Sequence, residues 1–124
     1  MNNIKIRYTF RHKGSGNIEM KWYSIGQLEE RAAAKLSPVF SDEYELISRD
    51  LYTGLKDING REIYKGDVYH QGDPNILYVV EYKGASFVGK QIGSSSYAGL
   101  EHWKGRIEVI GDVYRNPDLL EAAE

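Results

Sequence analysis

Hydrophobic and polar positions alternate with a period of two near the start of the chain. The apolar positions of this segment are Ile4, Ile6, Tyr8, Phe10, Ile18, Met20 and Trp22. Such alternation is typical of strands with one buried face, and a glycine-containing turn at 14–17 separates the two runs. We therefore expect a β-hairpin. Its outer face should carry Lys5, Arg7, Arg11, Lys21 and Tyr23.

A helical pattern follows the hairpin. Ser24 and Gln27 have the spacing of a capping box, in which Ser24 is the N-cap. The next apolar residues recur at helical spacing, and Pro38 prevents much extension beyond Ser37. The pattern predicts one helix of about three turns, packed on the hairpin.

The stretch Tyr52–Tyr69 organises the second part of the chain. At its centre, Asn59-Gly60 is a strong signal for a type I′ hairpin turn, with Ile58 on a buried face. Gly66-Asp67 breaks the chain before the next strand. The tetrapeptide Gly-Asp-Val-Tyr at 66–69 recurs at 111–114, so we expect a second structural turn at Gly111-Asp112.

Further strands are predicted at 44–51, 76–82, 85–92 and 107–114, with a mobile loop at 93–99 and a short helix at 118–123. Short strands with turns at this spacing are typical of closed β folds. We predict an α+β, mainly β fold. A hairpin–helix–strand lobe (1–50) joins a small SH3-like antiparallel β-barrel lobe (51–124) in one compact unit.

The composition narrows the class of protein. The chain has 124 residues, a net charge of −2 and no cysteine. The lack of cysteine excludes thiolate catalysis and Cys-ligated zinc, and it fits a reducing cytoplasm, where we place the protein. The charged N-terminal segment does not resemble a signal peptide, and no apolar run approaches the ~20 residues of a membrane span.

Charge is unevenly distributed along the chain. Residues 1–23 contain five Lys or Arg residues and one Glu, a local balance of +4. The basic residues of the hairpin face, with Tyr23 among them, could contact phosphates while the aromatic ring stacks on a base. The outer faces of most strands are simply solvated, and the whole chain is acidic. Nucleic-acid binding is therefore the alternative hypothesis.

Catalytic and cofactor motifs are weak. Gly84–Lys90 has phosphate-loop spacing, but Gln91 replaces the required Ser or Thr and a β pattern follows. His12, His70 and His102 lack ligand partners at helical spacing. Asp67 and Asp112 are the one carboxylate pair that could meet, although turn capping explains both better. We expect no enzyme activity, no cofactor and no metal.

Two motifs carry a family resemblance. Tyr-Thr-Gly-Leu-Lys-Asp-x-Asn-Gly-x-Glu-Ile-Tyr-x-Gly-Asp lies within Leu51–Tyr69, and Ile-Gly-x-x-Tyr-x-Asn-Pro lies within Glu108–Leu120. Together they resemble the YopX protein family, small proteins of bacteriophages and prophages, mostly in Gram-positive bacteria. The start departs from the usual Lys-Phe-Arg-Ala-Trp, so the first lobe is expected to be elaborated. The resemblance carries over no catalytic activity and no catalytic residues.

The leading hypothesis is a non-catalytic phage accessory protein. It would bind another protein, from the host or the phage, through its β surface. Exposed strand edges in so small a unit must be paired or covered, so we also expect a homo-oligomer.

Overall fold

The computed structural model describes residues 5–24 and 43–121. The helix predicted after Ser24 lies outside the described residues. Contacts divide the chain into two compact units, Met1–Tyr52 and Thr53–Glu124. The predicted boundary, after Asp50, lies slightly earlier in the chain.

Antiparallel strands dominate the described residues. The nine strands are β1 (Lys5–His12), β2 (Ile18–Ser24), β3 (Tyr44–Lys56), β4 (Glu62–Tyr64), β5 (Asp67–His70), β6 (Tyr78–Lys83), β7 (Ser86–Gln91), β8 (Tyr97–Gly99) and β9 (Glu108–Asp112). A short helix, α1 (Leu100–Trp103), continues into a 3-10 helix at Lys104–Arg106. A second 3-10 helix (Pro117–Glu121) lies where a short terminal helix was predicted.

The strands form two sheets, with the orders β2-β1-β3-β4 and β8-β7-β6-β5-β9. The prediction of an α+β, mainly β fold is confirmed. The second sheet ends at β8 on one side and β9 on the other, and no pairing of these two strands is seen in the described part of the chain. The predicted SH3-like barrel is therefore not confirmed.

The β1–β2 hairpin has a register that the alternation did not predict. The N–H of His12 donates to the carbonyl of Asn17 at 2.8 Å, so an even-numbered residue pairs with an odd-numbered one. Tyr8 accordingly lies opposite Lys21 rather than Met20. Because successive side chains point to opposite faces, a shift of one residue moves every side chain of β2 to the other face. The prediction that Tyr8 and Met20 share a face was wrong.

Both faces of this sheet consequently carry buried side chains. Tyr8 and Tyr23 pack edge to face, with ring centroids 5.3 Å apart. Thr9 and Met20 lie opposite one another and are buried. Trp22, predicted to point inward, is 50% exposed.

A compact core holds the second unit together. It lies between the sheet, β4 and α1, and its buried members are Ile63, Tyr69, Val80, Leu100, Ile107 and Val109. The Tyr69 ring lies directly against Gly89, where any Cβ would overlap its hydroxyl group. Trp103 and Tyr78 pack against this core and are only partly buried.

The hairpin turn at Asn59-Gly60 is not of type I′. Gly60 has a φ of +81°, whereas Asn59 does not have a positive φ. The N–H of Gly60 donates to the carbonyl of Asp57, and the N–H of Asp57 donates to the carbonyl of Arg61. These bonds define a three-residue loop, a type I turn followed by a left-handed glycine. Ile58, expected on a buried face, is 55% exposed.

The structure places a type I′ turn at Gly84-Ala85 instead. The two residues have φ angles of +62° and +69° and connect the paired residues Lys83 and Ser86. Two positive φ angles give the backbone twist that joins two antiparallel strands tightly. The segment with phosphate-loop spacing is thus a β-hairpin and opens no helix.

Candidate functional site

The five residues predicted to form a nucleic-acid face do not share one surface. Arg7 is 2% exposed and Tyr23 is 7% exposed, so both are buried. Lys21 and Tyr23 lie opposite Tyr8 and Ile6, on the face that does not carry Arg7. The prediction of a single exposed basic face was wrong, because the register of the hairpin differs from the assumed one.

The basic side chains of the hairpin also have partners within their own sheet. Arg7 lies 3.9 Å from Asp50, a buried carboxylate directly opposite it on β3. Arg11 donates through Nε and Nη2 to one Glu45 oxygen, at 3.1 and 3.0 Å. Lys5 places its ammonium group 5.8 Å from the centre of the Tyr52 ring. Three of these cations therefore face a carboxylate or an aromatic ring of their own sheet.

Asp67 and Asp112 do meet, as register partners in β5 and β9. Each is buried and accepts backbone hydrogen bonds from its own turn. Asp67 accepts the N–H of Tyr64 at 2.8 Å, and Asp112 accepts the N–H groups of Tyr114 and Arg115 at 3.0 and 2.8 Å. The Arg115 guanidinium also binds Asp112 at 2.8 Å. These contacts are those of turn-stabilising carboxylates.

The two Gly-Asp turns nevertheless differ in backbone conformation. Gly66 has a φ of +92°, whereas Gly111 is not among the residues with a positive φ. At Gly111 the requirement is space, because a Cβ would lie 2.5 Å from the Asn116 side-chain oxygen. The first glycine of the repeated sequence is therefore required for its backbone conformation, and the second is required for the space it leaves.

Asp57 is a further organising carboxylate that sequence reasoning did not single out. Its Oδ1 accepts the N–H groups of Asn59 and Arg61, both at 2.9 Å. Its Oδ2 accepts the buried N–H of Val109 at 2.9 Å. One side chain thus fixes the hairpin turn and attaches it to β9.

A cleft of about 390 Å³ lies in the second unit. The loop between β5 and β6 forms one wall, and the segment from α1 to β9 forms the other. The lining residues are Gln71, Gly72, Asp73, Ile76, Tyr78, Trp103 and Arg106. The cleft therefore combines aromatic and aliphatic surface with one guanidinium, one amide and one carboxylate.

Arg106 and Trp103 form the polar–aromatic wall of the cleft. The Arg106 guanidinium carbon lies 5.9 Å from the centre of the Trp103 ring, within cation–π range. Arg106 is exposed, and it forms no salt bridge with any residue in the described ranges. Its hydrogen-bonding edge is therefore open to a ligand.

The opposite wall contains a buried acceptor. Gln71 Oε1 has no hydrogen-bond partner in the described structure, although it is shielded from solvent. A buried oxygen without a donor costs free energy. Tyr78, on the same wall, stacks on Tyr69 with ring centroids 5.3 Å apart.

His70 and Asp73 hold the loop that carries Gln71. His70 Nδ1 accepts the N–H of Gly72 at 3.1 Å, so the ring proton lies on Nε2, which faces Glu108 at 3.2 Å. Asp73 Oδ1 accepts the N–H of Asn75 at 2.9 Å. The loop is therefore shaped by its own side chains before any ligand binds.

The other two histidines have structural surroundings. His12 accepts the Ser15 N–H through Nδ1 at 3.0 Å and contacts Glu43 through Nε2. His102 packs edge-on against Trp103. Within residues 5–24 and 43–121, no three His, Cys, Asp or Glu side chains are grouped to hold a metal ion.

Tyr69 is a titratable group whose pKa the fold shifts. Burial, with the neighbouring Tyr78, raises the pKa of its hydroxyl above the usual range. In the described residues this hydroxyl has no hydrogen-bond partner. It faces Gly89 in the core rather than the cleft, so it has a structural position.

Comparison with known proteins decides the family. The profile described as YopX protein matches residues 13–121, which is most of the chain. The chain belongs to the YopX family. A crystal structure of protein EF1440 from Enterococcus faecalis is similar, with 21% identity, 91% of this chain and 74% of that chain covered, and a TM-score of 0.45. No curated protein matches the chain.

The family motifs of this YopX chain form its turns rather than its cleft. The first motif covers the Asp57 loop and Gly66-Asp67, and the second covers Asp112 and its turn. The cleft residues lie between the motifs, at 71–78 and 103–106. The resemblance identified the family but could not point to the cleft. In the described residues, no helix is long and apolar enough to cross a membrane.

Proposed function

We propose that this YopX family member is a non-catalytic phage or prophage accessory protein that binds a segment of a partner protein in the cleft. The observation that carries the proposal is the arrangement of Trp103, Arg106 and Gln71 around an open cavity. Aromatic residues and arginine are enriched where proteins bind one another. A cavity of about 390 Å³ can hold a few side chains of a partner.

The groups at the cleft do not support catalysis. Acid–base catalysis is most often carried out by a histidine, or by a carboxylate that works with a second titratable group near the reacting centre. The cleft lining contains one carboxylate, Asp73, and it contains no serine, cysteine or histidine. The buried carboxylates Asp57 and Asp112 are occupied by backbone N–H groups of their own turns.

Nucleic-acid binding through the hairpin has weaker support. Arg7 and Tyr23 are buried, and Arg11 is paired with Glu45. A phosphate-binding strip needs several cations on one exposed face. Self-association and a cytoplasmic location stay predictions.

A peptide selection tests the proposed function. The full chain serves as bait for a display library of random peptides, and each recovered peptide is measured against two matched variants. Ile76 (39% exposed) lines the cleft, whereas Ile110 (40% exposed) does not. We expect Ile76→Ser to weaken binding about tenfold through lost apolar contact and Ile110→Ser to leave it unchanged.

Two outcomes would contradict the proposal. One is the absence of any enriched peptide. The other is recovery of peptides whose affinity falls with Ile110→Ser and not with Ile76→Ser. Labelled single-stranded DNA, duplex DNA and RNA are measured in parallel. Tight, salt-sensitive binding of a nucleic acid would favour the hairpin alternative.

A further inference from the structure

We propose that the cleft recognises an internal, extended peptide segment that carries an aspartate or glutamate next to an apolar side chain. This inference rests on the proposed function, since it names the chemistry of the partner segment. Arg106 would bind the carboxylate, and Ile76, Tyr78 and Trp103 would contact the apolar side chain.

Arg106 is positioned to bind a planar anion. Its guanidinium lies over the Trp103 ring at 5.9 Å, and its Nη2 is 3.4 Å from where a Cβ of residue 72 would stand. Glycine at that position leaves room for the guanidinium beside the loop. A cation–π contact through the aromatic face does not use the N–H groups of the guanidinium, and their fork matches the two oxygens of a carboxylate.

The apolar surface beside Arg106 supplies a requirement that a simple anion cannot meet. Ile76, Tyr78 and Trp103 line the same cleft as the guanidinium. A peptide carries a carboxylate and an apolar side chain within a few ångströms of one another. The cleft therefore fits an acidic peptide better than an isolated anion.

The openness of the cleft favours an internal segment over a chain end. Gly72, Asp73, Ile76 and Arg106 are all exposed, so the cleft is accessible along the surface. An extended chain can cross it without inserting a terminus.

A charge-matched peptide pair tests the inference. Two labelled eight-residue peptides with amidated C-termini contain a central Phe-Glu-Leu or Phe-Gln-Leu. Their affinities are measured by fluorescence anisotropy for the wild-type chain, for Arg106→Gln and for Lys104→Gln. Lys104 is a suitable control because it lies in the same 3-10 helix, is exposed, and pairs with Glu101 outside the cleft lining.

We expect the wild-type chain to bind the Glu peptide roughly five- to tenfold more tightly than the Gln peptide, as a charge-assisted pair would give. Arg106→Gln should abolish this preference, and Lys104→Gln should retain it. Equal affinities for the two peptides, or a preference that survives Arg106→Gln, would overturn the inference. So would displacement of the peptide by inorganic phosphate at matched concentration.

The outcomes separate this inference from the proposed function. If both peptides bind equally and Ile76→Ser weakens both, the cleft is a peptide site without an acidic preference. If neither peptide binds but selected peptides without an acidic residue bind at the cleft, the cleft is again a peptide site without an acidic preference. If no peptide of any composition binds, the proposed function itself is wrong.

Discussion

Two arginines show how differently this chain uses the same side chain. Arg7, in the first unit, is 2% exposed and lies opposite the buried Asp50. Arg106, in the second unit, is exposed, lies 5.9 Å from the centre of the Trp103 ring and has no salt bridge to any described residue. Arg7 is committed to the fold of its sheet, whereas Arg106 is available to a ligand.

The difference teaches that a cation in a basic segment is not by that fact a binding residue. The hairpin has the higher density of positive charge in the sequence. Its arginines nevertheless face carboxylates on β3, at 3.9 Å for Arg7 and 3.0 Å for Arg11. The isolated Arg106 lies in an acidic part of the chain, and its environment leaves its charge accessible.

The largest effect is expected from Arg7. Arg7→Met should lower the free energy of unfolding of the first unit by roughly 3 kcal/mol, because it removes the cation that lies 3.9 Å from the buried Asp50 carboxylate. Urea unfolding would be followed by Trp22 fluorescence in a Trp103→Phe background. The double variant Arg7→Met/Asp50→Leu should recover most of the loss. A change below about 1 kcal/mol for the single variant would contradict the assignment.

A carboxylate in the second unit should have a similar structural role. Asp57→Ala removes the acceptor of three backbone N–H groups. We expect a loss of roughly 2–3 kcal/mol, measured by Trp103 fluorescence in a Trp22→Phe background. The control Asp73→Ala removes one exposed hydrogen bond and should cost less than about 1 kcal/mol. Equal losses would show that Asp57 does not organise the turn.

Tyr69 extends the comparison between structural and ligand-accessible side chains to a buried hydroxyl group. This hydroxyl has no hydrogen-bond partner in the described residues. Its raised pKa means that the folded chain keeps the proton when the unfolded chain loses it. The stabilising effect is complete below about pH 10 and is lost as pH rises further, with a slope approaching about 1.4 kcal/mol per pH unit.

Unfolding of the wild-type chain and of Tyr69→Phe at several pH values between about 8 and 11 measures this slope. The Phe variant should lack that part of the alkaline decline and should be nearly as stable at neutral pH. An unchanged decline would mean that the Tyr69 hydroxyl titrates as it does in the unfolded chain.

The smallest effect on stability is expected from Arg106. Arg106→Gln removes an exposed cation–π contact and should change the free energy of unfolding by less than about 1 kcal/mol. Trp103 fluorescence in the Trp22→Phe background follows the unfolding. A loss as large as that of Arg7→Met would mean that Arg106 belongs to the fold and would remove the contrast.

The positions of strands were predicted well where turn residues mark both ends of the strand. Turn residues bracket β6 and β7, and these strands lie within a few residues of the predicted spans. The type of turn was less predictable. Asn59-Gly60 has the composition of a type I′ turn, but Asp57 holds the N–H groups of Asn59 and Arg61 and stabilises a different loop. The choice between the two turn types therefore depends on Asp57 and on its hydrogen bond to β9.

The cleft was beyond the reach of sequence patterns for a topological reason. Gln71 and Arg106 are far apart in the chain, and the antiparallel pairing of β5 with β9 brings their segments together. Trp103 and Arg106 lie in a short helical segment with no clear period. The prediction of an exposed basic face on the β1–β2 hairpin failed for a simpler reason. A shift of one residue in the strand register exchanges the side chains of the two faces.

The most direct test uses the two tryptophans of the chain, one in each unit. Their indole N–H signals are followed by nitrogen-15 NMR while a selected peptide is added to the full chain. The account predicts that the Trp103 signal shifts in proportion to binding and that the Trp22 signal stays in place. A shift of the Trp22 signal with the Trp103 signal unchanged would contradict the account and would place the binding surface on the hairpin.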